Sequence, residues 1–406
     1  MSTGDDATDA VAPTVRQAAG MIDTLELLSA LDGGLISVVM LRDAGVSSRW
    51  LERLVATGVL TRVRRGAFVL TSVWRTMWPN ERYRLFVRAT VASSPRALVV
   101  SHLSAAVMHG LPLVGEWPQT LHVLDAGAGG GASSRLMTSH RSVPESDTVL
   151  IDGVRVTALA RTLADIAIAE TLERSVPALD AGLHSARVAA NTVARLRGVP
   201  WGSEEMAALA QLAEHGLREQ LSEELELLAP RRWRLRAERA IGFANGLADG
   251  AGESLSRVRF VELGFEIPEL QVRFDGADGR DAFVDCFWRG VRKGGEFDGN
   301  HKYMRGVILK PGQDPGEIVF AEKRREDALR TQLNSMARWV WDEVLPARTF
   351  FRFLTEHDVP RAQVRAQMPR RTPSRPSVPA SAISLRPATP LQPVPESGPA
   401  KAAGAR

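Results

Sequence analysis

The 406-residue chain holds a single cysteine, Cys286, so no disulfide can close within it and a reducing compartment suits it. No stretch comes near the ~20 consecutive apolar residues that span a bilayer. A membrane partner is therefore not expected, and the expected location is cytoplasmic. The first residues, MSTGDDATDA, are acidic and carry no apolar run, so no secretory leader is expected. Neither a CxxC pair nor an HExxH motif occurs, and a zinc centre is not expected either.

What is present is the composition of a soluble globular protein, 44% hydrophobic and 24% charged, at a length that predicts two or three domains. The formal net charge of +4 is unevenly placed. Eight basic residues against Glu396 give residues 361–406 a charge of +7, which leaves −3 for 1–360. A nucleic-acid partner of the folded part must therefore be met by local patches and not by the overall field.

Such a patch falls early. Residues 15–31 read as a helix and 36–43 as a short helix stopped at Gly45. Ser47 then caps a helix through Trp50, Leu51, Leu54 and Val55 that stops at Gly58. Residues 59–63 and 67–70 read as strands joined by Arg64-Arg65-Gly66. Helix, tight turn, helix and hairpin is the signature of a winged helix-turn-helix. Ser47, Ser48, Arg49 and Arg53 belong to the helix expected to recognise DNA, with Glu52 beside them. Arg62, Arg64 and Arg65 sit on the wing, suited to phosphates or the minor groove.

The next block predicts a helix over 79–92, a helix over 103–109 capped by Ser101, and strands at 120–125, 135–140 and on either side of Asp152-Gly153. The Gly-rich segment 127–132 is followed by a strand pattern and not a helix, so it reads as a hairpin loop and not a phosphate cradle. His102, His109, His122 and His140 lack metal-ligand spacing and read as ordinary fold residues. Residues 157–249 are helical in pattern, with Arg231, Arg232, Arg234, Arg236 and Arg239 crowding one helix.

The C-terminal part is organised by carboxylates. Glu253 opens an apolar-periodic helix that ends at Gly264. Strands are predicted at 267–274 and 282–288, with Asp285 in the second, and a third carries Glu296, Phe297 and Asp298. Residues i and i+2 of a strand share a face, so Glu296 and Asp298 are expected to point together, with Asp285 joining from the neighbouring strand. Carboxylates gathered on one face repel unless a cation compensates, and a divalent ion is what phosphodiester hydrolysis requires. Helices over 320–336 and 349–356 and an edge strand over 337–341 complete this part. Arg324 is a candidate phosphate clamp, with a salt bridge to Glu326 or Asp327 as its ordinary alternative.

Two resemblances follow. The run Val284-Asp285-Cys286-Phe287-Trp288, then Glu296-Phe297-Asp298-Gly299, resembles the very-short-patch-repair-endonuclease-like branch of the PD-(D/E)xK fold over roughly 250–355. That resemblance implies a magnesium-dependent endonuclease with Asp285, Glu296 and Asp298 at the metal. Glu253 would assist, and Lys302 would stabilise developing charge. The chain departs from the pattern in carrying Asp298 where the family expects lysine; Lys293 is a second substitute for that lysine. The second resemblance rests on residues 60–68, on Ser101-His102-Leu103-Ser104-Ala105-Ala106 and on 156–165, which are similar to the winged-helix antitoxins of the AbiEi-like group. It implies a DNA-binding repressor, a cognate toxin as a further partner, and a bacterial defence or toxin–antitoxin setting.

The expected architecture is thus α+β and multidomain. It comprises a disordered start (1–15), a winged helix-turn-helix (16–75), an α+β antitoxin-like domain (76–165), a helical connector (166–249), a PD-(D/E)xK-like mixed-sheet domain (250–358) and a disordered basic tail (359–406). The expected partner is double-stranded DNA. The alternative to a nuclease is a non-enzymatic repressor on a degenerate nuclease fold.

Overall fold

The chain opens with helix α1 (Val15–Leu31), which lays Leu25 against Ile36, Leu41, Leu54 and Phe68. Strand β1 (Ile36–Ser37) pairs with β3 (Ala67–Leu70), and β3 pairs with β2 (Leu60–Arg64), in the order β1-β3-β2. Between β1 and β2 lie α2 (Val38–Asp43) and α3 (Ser48–Ala56). The segment expected as one helix over 36–43 is split because Ser37 stays extended and its hydroxyl accepts from Met40 N at 3.1 Å, capping α2. Ser47 caps α3 in the same way, through Trp50 N at 3.3 Å. Helix α4 (Thr71–Thr76) follows β3 directly and has no signal in the sequence pattern.

This computed structural model describes residues 15–125, 135–141, 147–228, 231–276, 281–299 and 315–363; for 15–19, 231–232 and 315–323 it describes the backbone alone. All of them lie in the unit Met1–Arg371. The Gly-rich segment 127–132, Lys302 and the tail beyond residue 363 lie outside the described residues.

Helix α5 (Pro79–Ala92) leads into a five-stranded sheet, order β6-β5-β4-β8-β7, built from β4 (Val99–Val100), β5 (Leu121–Asp125), β6 (Met137–Arg141), β7 (Thr148–Ile151) and β8 (Val154–Thr157). Helix α6 (His102–Met108) packs on it with every residue from Leu103 to Met108 buried. Helices α7 (Leu159–Ala169), α8 (Leu172–Leu196), α9 (Glu204–Leu228) and α10 (Arg231–Phe243) then share one core around Leu163, Leu179, Leu183 and Leu221. Among the described residues no helix is long and apolar enough to cross a membrane.

The second α/β part begins with α11 (Ala251–Leu263), ended by Gly264 in the left-handed region at φ 76° as its sequence predicts. A four-stranded sheet follows in the order β12-β11-β10-β9, from β9 (Glu269–Asp275), β10 (Asp281–Trp288), β11 (Lys293–Phe297) and β12 (Ser335–Trp339). β10 is antiparallel to both neighbours, and β11 is parallel to β12. Leu329 of helix α12 (Pro315–Gln332) and Leu333 just past its end pack against Ala282, Val284 and Phe287, while α11 packs Leu255 and Phe260 with Cys286, Trp288 and Trp339. The edge strand lies two residues earlier than expected. The turn Trp341–Val344 (α13) takes Trp341 into a helix, and α14 (Ala347–Glu356) closes the part.

Helix α11 is pinned to the helical part by buried charge. Arg257 Nη1 pairs with Asp180 of α8 at 2.7 Å, and its Nη2 donates to Phe243 O at 2.7 Å. Arg259 adds Glu173, Glu262 and the carbonyl of Leu345. Breaking a buried pair of this kind leaves an uncompensated charge, so the position of Glu253 on α11 is set by two neighbouring elements.

Candidate functional site

Two surfaces carry the residues singled out by sequence. The first is α3 with the β2–β3 hairpin. Leu54 faces the core, and Ser48, Arg49, Glu52 and Arg53 are exposed. Arg53 lies over the Trp50 ring, 5.7 Å from its centroid, and exposed Arg62 over Phe68 at 5.5 Å. Gly66, at φ +79°, makes the hairpin turn that leaves Arg65 exposed. Arg64 differs from its neighbours. The register shifts between Arg62 and Arg64, and Arg64 Nη1 donates to Thr90 Oγ1 of α5 at 2.7 Å beneath the Phe86 ring. Its guanidinium thus fastens the hairpin to the next helix.

The second surface lies where β10 leaves β11. Pairing of these strands stops at Cys286↔Gly295, so Asp285 and Glu296 sit just past the last pair. On the other side of β10 the register runs Val284↔Val272 and Cys286↔Leu270, and between them Asp285 faces Gln271, whose φ is +50°. This local distortion changes which face successive residues occupy. Val284 and Val272 pack with α12, and Cys286 and Leu270 pack with the α11 cluster. Such bulge-like irregularities re-aim side chains.

The re-aimed group is the Asp285 carboxylate. Its Oδ2 accepts from Phe297 N at 3.1 Å and its Oδ1 from Gln271 Nε2 at 3.3 Å. Gln271 Nε2 also reaches Glu253 Oε2 at 3.4 Å, and Asp249 N donates to the same oxygen at 3.0 Å. One amide therefore bridges two carboxylates. Burial, then the Asp285 charge, raises the Glu253 carboxyl to about 8. Burial likewise raises Asp285, offset by the Phe297 N–H and reinforced by Glu296. Gly252 makes the arrangement possible, since a Cβ there would stand 2.0 Å from the Phe297 ring.

Glu296 is held differently. Its Oε1 accepts from Arg325 of α12 at 2.7 Å, and its Oε2 pairs with Arg338 of β12 at 3.0 Å. Asp298 stands one residue beyond β11, where its N–H donates to Trp339 O at 2.8 Å. Lys293, buried at the far end of β11, donates to Ser335 Oγ at 2.7 Å. Among the described residues, no group of three or more His, Cys, Asp or Glu side chains could hold a metal ion. Glu253 and Asp285 present carboxylate oxygens only, two groups in number, the hard donors that magnesium takes from protein.

The sequence pattern did not reveal Gln271, Arg325 or Arg338. Gln271 lies in a strand whose alternation hides its conformation, and Arg325 stands beside the exposed Arg324 with no local pattern to single it out.

Against known proteins, one segment finds a family. Residues 23–71 match the family described as transcriptional regulator, AbiEi antitoxin. The match runs from α1 through the β2–β3 hairpin to the first residue of α4, and it stops before the five-stranded sheet and the carboxylate pair. The whole chain has no match among curated proteins.

Proposed function

We propose that the chain is a DNA-binding transcriptional regulator of the AbiEi-antitoxin kind. In this reading residues 16–75 act as a winged helix-turn-helix, and 76–165 and 166–249 form a platform and connector. Residues 250–358 form a PD-(D/E)xK-like domain. The observation that carries the proposal is the row of exposed Ser48, Arg49, Arg53, Arg62 and Arg65 on α3 and the hairpin, inside the segment that resembles regulators. The N-terminal end of α3 enters the major groove, Ser47 keeps its hydroxyl hydrogen for a phosphate, and the wing arginines track the backbone. The family likeness also points to a cognate toxin as partner. Fluorescence anisotropy of the purified chain on operator-region duplex DNA tests the reading. Tight binding that weakens with salt and is lost in an Arg49→Ala/Arg62→Ala variant supports it, and binding unchanged in that variant overturns it.

A second reading is favoured by the bridged pair Glu253–Asp285: a magnesium-dependent endonuclease. Glu253 and Asp285 would hold the ion, which when bound polarises a phosphoryl oxygen and lowers the pKa of water. Gln271 and the Phe297 N–H aim Asp285. Arg325 and Arg338 carry positive charge to the same strand end and suit a phosphate. Asp298 is a further ligand or turn anchor, and Lys302 supplies the cation that the family pattern places two residues after Glu296. Duplex cleavage with magnesium that vanishes in Asp285→Ala supports this reading. Duplex binding without cleavage by either protein leaves the non-enzymatic regulator.

A further inference from the structure

Away from both surfaces, three imidazoles from three elements meet beside α6. The rings of His102 on α6 and His140 on β6 stack with centroids 3.5 Å apart and planes 15° apart. His122 Nδ1 on β5 lies 2.9 Å from His140 Nε2. Sequence spacing hid this cluster, because the fold brings together residues 18 positions apart on parallel strands and one from a preceding helix. Arg161 and Asp165 of α7 lie alongside as a buried ion pair at 3.1 Å, with Asp165 Oδ2 3.5 Å from His102 Nδ1. Ser101 Oγ is 3.1 Å from the same ring nitrogen.

Arg161 pairs with Asp165, whose carboxyl burial raises to about 7, and the next acid is Glu224 of α9, flanked by Asp147 and Glu223. Tyr83 of α5 approaches only through the hydroxyl of Ser104, which accepts from His122 N at 2.8 Å. A proton on His102 would face Asp165, whereas at His140 burial, His122 and Arg161 all oppose one. A hydrogen bond between two imidazole nitrogens needs one bare nitrogen, so the His122–His140 pair can share one proton but not hold two facing ones. Burial, with the neighbouring rings and Arg161, lowers His102 and His140, the latter to about 4, and burial alone lowers His122.

The strand these rings hold is exposed to loss. β6 is the edge of its sheet and pairs with β5 alone, and none of its residues is fully buried. We propose that His102, His122 and His140 form a proton-sensitive clasp that fastens edge strand β6 at neutral pH and releases it on acidification. The sign follows from the folded values lying below the unfolded one. The histidines' contribution is full above about 6.5 and is lost as pH falls from there towards about 4, while Asp165 of α7, raised to about 7, contributes with the opposite sign and is left in place by the histidine variants.

Hydrogen exchange of the full-length chain tests this, as protection factors corrected for intrinsic rates at pH 7.5 and 5.0. The expected result is a drop in protection at residues 137–141 on the order of tenfold, after discounting for solvent screening, with 148–151 at the opposite sheet edge unchanged. His140→Gln and, as an independent variant, His122→Gln are expected to flatten that response. Equal protection at both pH values, or the same drop in both variants, overturns the clasp. So does zinc-induced protection of 137–141 that both variants lose, because the cluster is then a metal site.

Discussion

Gln271 faces Asp285 across the β9–β10 pair with a backbone φ of +50°, and its amide nitrogen reaches both Asp285 and Glu253. A non-glycine residue in the left-handed region is held there by its surroundings at a cost of order 1 kcal/mol. The expected consequence is separable by substitution. Gln271→Leu keeps the strain and removes both donors, and should destabilise by about 1–3 kcal/mol at pH 8. Gln271→Gly removes the donors but adopts the backbone freely, and should lose less. Urea melts of both variants, repeated at pH 5 where the two carboxyls are closer to neutral, check the ordering and its attenuation.

Glu253 makes a pH-dependent contribution with a definite sign. Its carboxyl stands at about 8 when folded against 4.5 when free, so the folded chain binds more protons than the unfolded chain between those values. Stability is therefore expected to fall as pH rises from about 4.5 through about 8. Glu253→Gln should flatten that slope and be more stable than the parent at pH 8.5 by on the order of 3 kcal/mol. Thermal melts across pH 5–9 measure it, and a slope unchanged by the substitution refutes the assignment.

Gly252 and Phe297 form a steric pair. Gly252→Ala should displace the Phe297 ring and with it the N–H that Asp285 accepts from, and overpacking of this kind costs about 1–3 kcal/mol. A Gly252→Ala/Phe297→Leu double variant should recover part of the loss. The coupling energy of that cycle is the decisive quantity.

The four wing and helix arginines should divide into two classes. Arg49→Ala, Arg62→Ala and Arg65→Ala should leave the melting temperature within about a degree, while each lowers the salt slope of DNA binding by about one. Arg64→Ala should cost about 1 kcal/mol of stability, because Thr90 and the Phe86 ring lose their partner. Melting and anisotropy on the same preparations separate the classes.

Much of this was legible in the residues. Helix α11, its stop at Gly264 and the order of the C-terminal strands follow from local periodicity and turn chemistry. So do the strands that carry Asp285 and Glu296. What escaped depends on tertiary context. Ile36 joins a sheet because Phe68 is there to pair with it. Arg64 turns inward because Thr90 offers an acceptor. Val284 and Cys286, two apart in a strand, pack on different helices because Gln271 distorts the pairing. Glu296 and Asp298 follow the same-face rule only as far as the strand lasts, and β11 ends at Phe297. Ligand spacing is a local criterion, and His102, His122 and His140 meet only through the long-range fold.

The lone thiol has a use that its neighbours confer. Cys286 is fully buried, next in sequence to Asp285 and in the same apolar cluster as Trp288 and Trp339. Burial holds it in the protonated, unreactive form. Any disulfide-exchange reagent must therefore wait for the sheet to open, and the labelling rate of this one atom becomes a clock for sub-global opening of β10, readable in the unmodified chain.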